Sequence, residues 1–142
     1  MSEKKLGIIG GGQLGSMLST AAKNLKINTI VYCDDKDAPA QYFCDEFIFG
    51  SYNDKIKILD FTKKVDVITF EFENIPFETL NEMSKAKPVL PKPSVNRLIQ
   101  HRIAEKDFVN KLNIRTTRYV SIDKKSDIDK LEDFLPGILK TT

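Results

Sequence analysis

The chain has 142 residues, 41% apolar and 30% charged, with 22 basic against 20 acidic side chains and a net charge of +2. That length supports one domain, or one domain and a fragment, with a core that needs neither disulfide nor metal. The charge balance leaves no electrostatic footprint for nucleic acid, and no stretch approaches the ~18 consecutive apolar residues of a membrane helix.

Met1-Ser2-Glu3-Lys4-Lys5 runs straight into a short strand rather than a leader, so a cytoplasmic protein is expected. Residues 5–10 (KLGIIG) form a short apolar run ending in glycine, the pattern of a buried strand. Residues 12–25 carry Leu14, Met17, Leu18, Ala21, Ala22 and Leu25 at helical spacing, which predicts an amphipathic helix buried on that stripe. Residues 28–33 (NTIVYC) and 46–49 (EFIF) read as the second and third strands. Asn53 or Asp54 is placed to cap a helix bearing Ile56, Leu59, Phe61 and Val65. Residues 66–72 (DVITFEF) are the most β-like segment, and Pro76 opens a further helix with Phe77, Leu80 and Met83 on one face.

This alternation predicts an α/β fold with a Rossmann-like parallel sheet and crossover helices. Its ligand crevice is expected beyond the carboxyl ends of the strands. Residues 87–93 (KPVLPKP) break the pattern with Pro88, Pro91 and Pro93 and suggest a stiff connection after a last short strand. We therefore divide the chain into a domain over 1–93 and a second part over 94–142. In the second part, 94–112 reads as helix, 118–122 as strand, 126–135 as helix and 137–141 as the start of a strand. Unpartnered, that last strand leaves an exposed edge, and Phe108, Phe134 and Leu135 form an apolar liability. Cys33 and Cys44 are read as reduced thiols. With His101 the only histidine, no metal site is expected. The charges of Lys23, Lys26, Lys63 and Lys64 read as solvated helix faces.

Gly10-Gly11-Gly12-Gln13-Leu14-Gly15 matches G-x-G-x-x-G between a strand and a helix. Glycines there permit a tight turn, and the helix start offers free amides to an anion. Gly10, Gly12 and Gly15 are thus candidate phosphate-turn residues, with Asp34 or Asp35 at the spacing of a ribose-binding acid. The plain alternative is a turn that only packs helix against strand.

Five segments together are more specific. Residues 10–18 (GGGQLGSML), Asp37-Ala38-Pro39-Ala40 with Asp45, 69–76 (TFEFENIP), 100–106 (QHRIAEK) and Ile138-Leu139-Lys140 occur in this order along the chain. In that order they resemble the N-terminal part of the ATP-grasp N5-carboxyaminoimidazole ribonucleotide synthase family, the ATPase subunit of phosphoribosylaminoimidazole carboxylase. The resemblance implies a pre-ATP-grasp domain followed by the beginning of an ATP-grasp domain. It also implies purine-biosynthetic carboxylation of aminoimidazole ribonucleotide with ATP, magnesium and bicarbonate. Bicarbonate is phosphorylated to carboxyphosphate, and the amine is then carboxylated. The protein's part in such a reaction is to position substrates and stabilise phosphoryl charge.

By the same resemblance, Gln13, Leu14 and Glu71 line the ribonucleotide pocket. Glu73 is second choice, sharing the face of Glu71 if the strand continues that far, and Asn74 shapes the turn. An ionised carboxylate only accepts hydrogen bonds, which suits an amine and ribose hydroxyls. Arg102 and Lys140 match ATP-contacting positions, while Lys106 reads as a solvated charge one helical turn on. The family commonly dimerises, so a homodimer is one expectation, with no nucleic-acid or membrane partner.

Two positions depart from the family pattern. Ser16 stands where it usually has arginine, and His101 where it usually has aspartate. After Lys140 the family continues into a glycine-rich ATP loop and magnesium-binding acids. This chain passes to Thr141-Thr142 instead, so residues 1–142 alone are expected not to catalyse. Two other readings remain open: an NAD-binding oxidoreductase domain resting on the glycine turn and Asp34/Asp35, and a non-catalytic remnant that keeps the fold. An ATP-grasp relative acting on a different amine is a milder alternative.

Overall fold

The computed structural model describes residues 4–141. Residues 1–3, with which the chain was read to open, and Thr142 lie outside the described residues. The chain divides into two compact units between Arg97 and Leu98.

The first unit is built on four strands: β1 (Lys5–Ile9), β2 (Asn28–Cys33), β3 (Glu46–Phe49) and β4 (Val67–Phe70). They pair in parallel in the order β3-β2-β1-β4. Leu6 lies opposite Thr29 on one side and Val67 on the other, which fixes the register around β1. The chain builds outward from β1 to β3 and then returns to place β4 on the other side of β1. The strand order therefore reverses between β1 and β4, and in open parallel sheets ligands bind at that point. Val89 makes a parallel bridge to Ile68, so the short strand expected near residue 89 is a single bridge beside β4.

Successive side chains of a strand face opposite ways. Ile9, Ile30, Tyr32 and Ile68 therefore join one apolar cluster, while Ile8 and Val31 join another on the reverse face. The larger cluster is covered by α2 (Lys55–Lys64) and α3 (Phe77–Ser84), which contribute Ile58, Phe61, Leu80 and Met83. Phe61 is fully buried, and burying such a side chain stabilises by about 1.5–3 kcal/mol. Asp54 caps α2 by accepting the Lys57 N–H at 3.1 Å. The buried side of α2 is Ile58, Phe61 and Thr62, with Val65 at its end, whereas Ile56 and Leu59 are exposed, correcting half of the expected stripe.

The reverse face carries α1 (Gln13–Asn24) and a 3-10 turn (Pro39–Tyr42). Here the expectation fails more fully. Leu14, Met17, Leu18 and Leu25 are exposed, and the side turned inward is Gly15, Ser16, Ser19 and Ala22. The cause is close approach: a Cβ on Gly15 would lie 2.6 Å from the Gly10 carbonyl oxygen. Only small residues allow the helix to sit so near the end of β1. Ser16 and Ser19 satisfy their hydroxyls on the carbonyls of Gly12 (3.0 Å) and Gly15 (2.8 Å).

A further helix, α4 (Pro93–Ile99), runs across the division between the units. In its first-unit part Asn96 is buried, and its Nδ2 donates to the Ile75 carbonyl at 3.1 Å. The Arg97 guanidinium lies 4.9 Å from the Phe77 ring centre.

The second unit holds α5 (Arg102–Lys111), whose cap is His101, with Nδ1 accepting the Ala104 N–H at 3.4 Å. The helix expected over 94–112 is thus broken at 100–101. Residues 118–122 and 137–141 form no strand, and 126–135 forms two 3-10 turns (Lys125–Lys130 and Glu132–Phe134) rather than an α-helix. A strand is stable only beside a partner, and the described residues of this unit offer none. Phe108 and Leu135 are exposed as expected, but Phe134 is half-buried, with the Arg118 guanidinium 4.5 Å from its ring centre.

Candidate functional site

The reversal point between β1 and β4 is occupied by the glycine turn and Glu71. Gly10 follows β1 with φ of +102°, a conformation that side-chain-bearing residues rarely adopt. Its N–H donates to the Tyr32 carbonyl at 3.0 Å, and the Gly11 carbonyl accepts the Ala40 N–H at 3.0 Å. The turn is therefore fixed from β2 and from the 3-10 turn. On the other side, the Glu71 N–H donates to the Ile9 carbonyl at 3.1 Å, extending the ladder one residue past β4. This holds the half-buried Glu71 side chain over the turn, where Oε1 accepts the Gly12 N–H at 3.1 Å.

Glycine at both positions leaves room for that carboxylate. A Cβ on Gly10 would lie 2.7 Å from Glu71 Oε1, and one on Gly12 would lie 3.3 Å from it. Gly12 is the N-cap of α1, so its amide is one of the donors the helix leaves without an internal acceptor. Oε1 satisfies it, and no described residue donates to Oε2.

The structure brings Gly10, Gly12 and Glu71 together, with Gln13 and Leu14 exposed in the adjoining first turn of α1. Glu73 is placed otherwise. β4 ends at Phe70, so the strand does not carry Glu73 onto the face of Glu71, and Glu73 and Asn74 are exposed in the turn that follows. Asn96, from α4, holds that turn through the Ile75 carbonyl; its Oδ1 is buried and has no partner among the described residues. Sequence reading missed Asn96. The signal was an asparagine three residues after Pro93, on the same buried helical face.

Asp35 Oδ1 accepts the Asp37 N–H at 2.9 Å, so this carboxylate shapes its own loop. Asp45 Oδ2 accepts the Thr29 N–H at 2.7 Å and ties the start of β2 to the segment before β3. Cys33 and Cys44 are both free; the Cys33 thiol receives the Tyr52 hydroxyl at 3.8 Å. Burial pushes the Tyr52 phenol well above its usual range, with the neighbouring Cys33 adding to the shift.

Arg102 and Lys140 both belong to the second unit and are exposed. No described hydrogen bond or ion pair holds either side chain, so the described residues build no nucleotide pocket around them. Lys106 lies 5.2 Å from the Tyr119 ring centre. Among the described residues no three His, Cys, Asp or Glu side chains converge as metal ligands.

Two grooves lie elsewhere in the first unit. One of about 580 Å³ runs along α1, lined by Gln13, Ser16, Met17, Thr20, Pro39 and Phe43 among others. The other, about 450 Å³, lies beside Ile48 and three lysines. Those lysines are engaged: Lys63 with Asp60, Lys64 with Glu46, and Lys57 with the Phe49 carbonyl. Glu71 lines neither groove. No helix among the described residues is long and apolar enough to cross a membrane.

Residues 3–100 match the family model of the ribonucleotide synthetase preATP-grasp domain. The chain is 36% identical over 140 residues to the bifunctional purine synthesis protein purC/E of Dictyostelium discoideum, covering 96% of this chain and 14% of that protein. Its fold matches the N5-carboxyaminoimidazole synthetase of Staphylococcus aureus, solved with ADP. That match has a TM-score of 0.84 and 32% identity, over 92% of this chain and 35% of that one. It also matches the Aspergillus clavatus N5-carboxyaminoimidazole synthase, solved with ADP and 5-aminoimidazole ribonucleotide. Here the TM-score is 0.79 and the identity 28%, over 94% of this chain and 36% of that one. The chain thus spans little more than a third, or less, of the length of these relatives.

Proposed function

Because the chain belongs to the ribonucleotide synthetase preATP-grasp family, we propose that its first unit is the ribonucleotide-binding part of an ATP-dependent carboxylase of purine biosynthesis. The whole enzyme would convert aminoimidazole ribonucleotide, bicarbonate and ATP to N5-carboxyaminoimidazole ribonucleotide. The observation that carries this reading is the placement of Glu71 against Gly10 and Gly12 at the sheet's reversal point. With Oε1 held by the Gly12 amide, the carboxylate is oriented and its second oxygen is left to accept from an amine or a ribose hydroxyl. Gln13 and Leu14 would flank that ligand, while Glu73, no longer on the strand, keeps only its second place.

The bound 5-aminoimidazole ribonucleotide of the Aspergillus relative supports the ligand class, and its bound ADP supports ATP as co-substrate of the whole enzyme. Arg102 and Lys140 are the residues proposed to meet that nucleotide. Magnesium, bicarbonate and a homodimer belong to the same proposal for the whole enzyme.

The test is calorimetric titration of the 142-residue chain with aminoimidazole ribonucleotide, with NADH as control. Ribonucleotide binding that disappears in Glu71→Ala supports the reading. Binding of NADH alone would replace it with a dinucleotide domain.

A further inference from the structure

We infer that Glu71 is a specificity-determining residue that closes the glycine turn to diphosphates, dinucleotides included, and reserves it for a ligand that donates hydrogen bonds. In a dinucleotide fingerprint the turn's glycines let the pyrophosphate approach the backbone, and the amides at the helix start receive it. Here a carboxylate has taken that position. Its Oε1 accepts the Gly12 N–H at 3.1 Å, the space a Cβ would fill at Gly10 is taken by Glu71, and a Cβ at Gly12 would press on Oε1 at 3.3 Å. The missing side chains are thus explained by an internal anion rather than by a bound one.

Three amides of the first turn, those of Gln13, Leu14 and Gly15, still lack an acceptor within the helix. A diphosphate reaching them would come within a few ångströms of the Glu71 carboxylate. A like-charged pair ~4 Å apart weakens binding about fivefold in water, and more where the dielectric is lower. The one basic side chain of α1, Lys23, lies in its last turn, so no side chain of this helix offsets the charge of Glu71 beyond what the amides at its start supply. A neutral or cationic donor, by contrast, meets a carboxylate already oriented.

What the turn refuses is tested without aminoimidazole ribonucleotide, so the outcome is independent of the reading above. The 142-residue chain, labelled with nitrogen-15, is titrated with inorganic pyrophosphate and separately with NADH as wild type, Glu71→Gln and Glu71→Ala. Glu71→Gln keeps an oxygen for the Gly12 amide and removes the charge, while Glu71→Ala removes both. The expected result is no movement of the Gly12, Gln13 and Leu14 amide signals in the wild type. Both variants should gain pyrophosphate affinity of about fivefold or more at those same amides. Pyrophosphate binding at these amides as tight in the wild type as in Glu71→Gln would overturn the inference. So would a well-dispersed spectrum of Glu71→Gln with no gain.

Discussion

Replacing Gly15 with alanine sets two effects of opposite sign against each other. Helix propensity alone favours alanine over glycine by about 0.8–1.0 kcal/mol, so a reading of α1 as an ordinary amphipathic helix predicts a more stable protein. The structure predicts the reverse. The new Cβ would lie 2.6 Å from the Gly10 carbonyl oxygen and 3.4 Å from its carbon. Gly10 cannot easily retreat, because its N–H is bonded to Tyr32 and the next carbonyl is bonded to Ala40. Overpacking of this kind costs about 1–3 kcal/mol, and contact with pinned backbone puts the cost in the upper part of that range. Subtracting the propensity gain leaves a net loss of about 1–2 kcal/mol. Since urea slopes run at about 1–3 kcal/mol/M for small proteins, the unfolding midpoint should fall by about 0.5–1 M. The chain has no tryptophan, so far-ultraviolet circular dichroism is the natural probe. A midpoint that rises instead would refute the close approach of α1 to the end of β1.

Asn96→Ala removes the buried Nδ2 donor to the Ile75 carbonyl together with an Oδ1 that has no partner among the described residues, and the expected net loss is about 1 kcal/mol in urea unfolding. Faster amide exchange in the turn after Glu71 should accompany it. A second expectation concerns alkaline pH. The Tyr32 phenol is pushed up to about 12, first by burial and then by the charges of Asp54 and Asp34, from an ordinary value near 10. The fold therefore keeps this proton longer than the unfolded chain does. Its contribution is whole below about pH 10 and is lost as pH rises toward about 12. The drop in urea midpoint between about pH 9 and about pH 11 should be shallower in Tyr32→Phe, with Tyr52 and Cys44, shifted the same way, contributing to what remains. In the second unit, His101→Asp replaces a long 3.4 Å cap contact with a carboxylate at the positive end of α5. It should stabilise that helix by about 0.5–1 kcal/mol, read as slower amide exchange over its first turn.

How far the sequence discloses this molecule depends on whether each signal is local. The limits of β2 and β3 match their apolar runs at 28–33 and 46–49, because β-branched, flanked runs carry their own boundaries. Asp54 caps α2 as read, since a cap needs only the next turn. Residues 118–122 and 137–141 have strand composition but no neighbour to pair with among the described residues of their unit. The helix α1 misled for a different reason. Its large apolar residues have the right period, yet the helix is placed by what it can approach. Gly15, Ser19 and Ala22 form a second periodic stripe, of small residues, and that stripe meets the sheet.

The candidate site follows the same logic. Gly10–Gly12 and Glu71 were each legible, the first as an anion turn and the second as a ligand carboxylate. Their contact was not, because it joins positions 59 residues apart and depends on β4 lying beside β1. Once that order is known, the two readings cannot stand side by side unchanged. The carboxylate occupies the first amide that the anion would have used. What resembles a nucleotide fingerprint in one dimension is, in the folded chain, a glycine cradle for a glutamate. Exchanging that glutamate for glutamine removes the charge and turns one acceptor oxygen into an N–H donor, so diphosphate binding that is gained by this exchange and also in Glu71→Ala measures how much of the turn's selectivity lies outside the motif that suggested it.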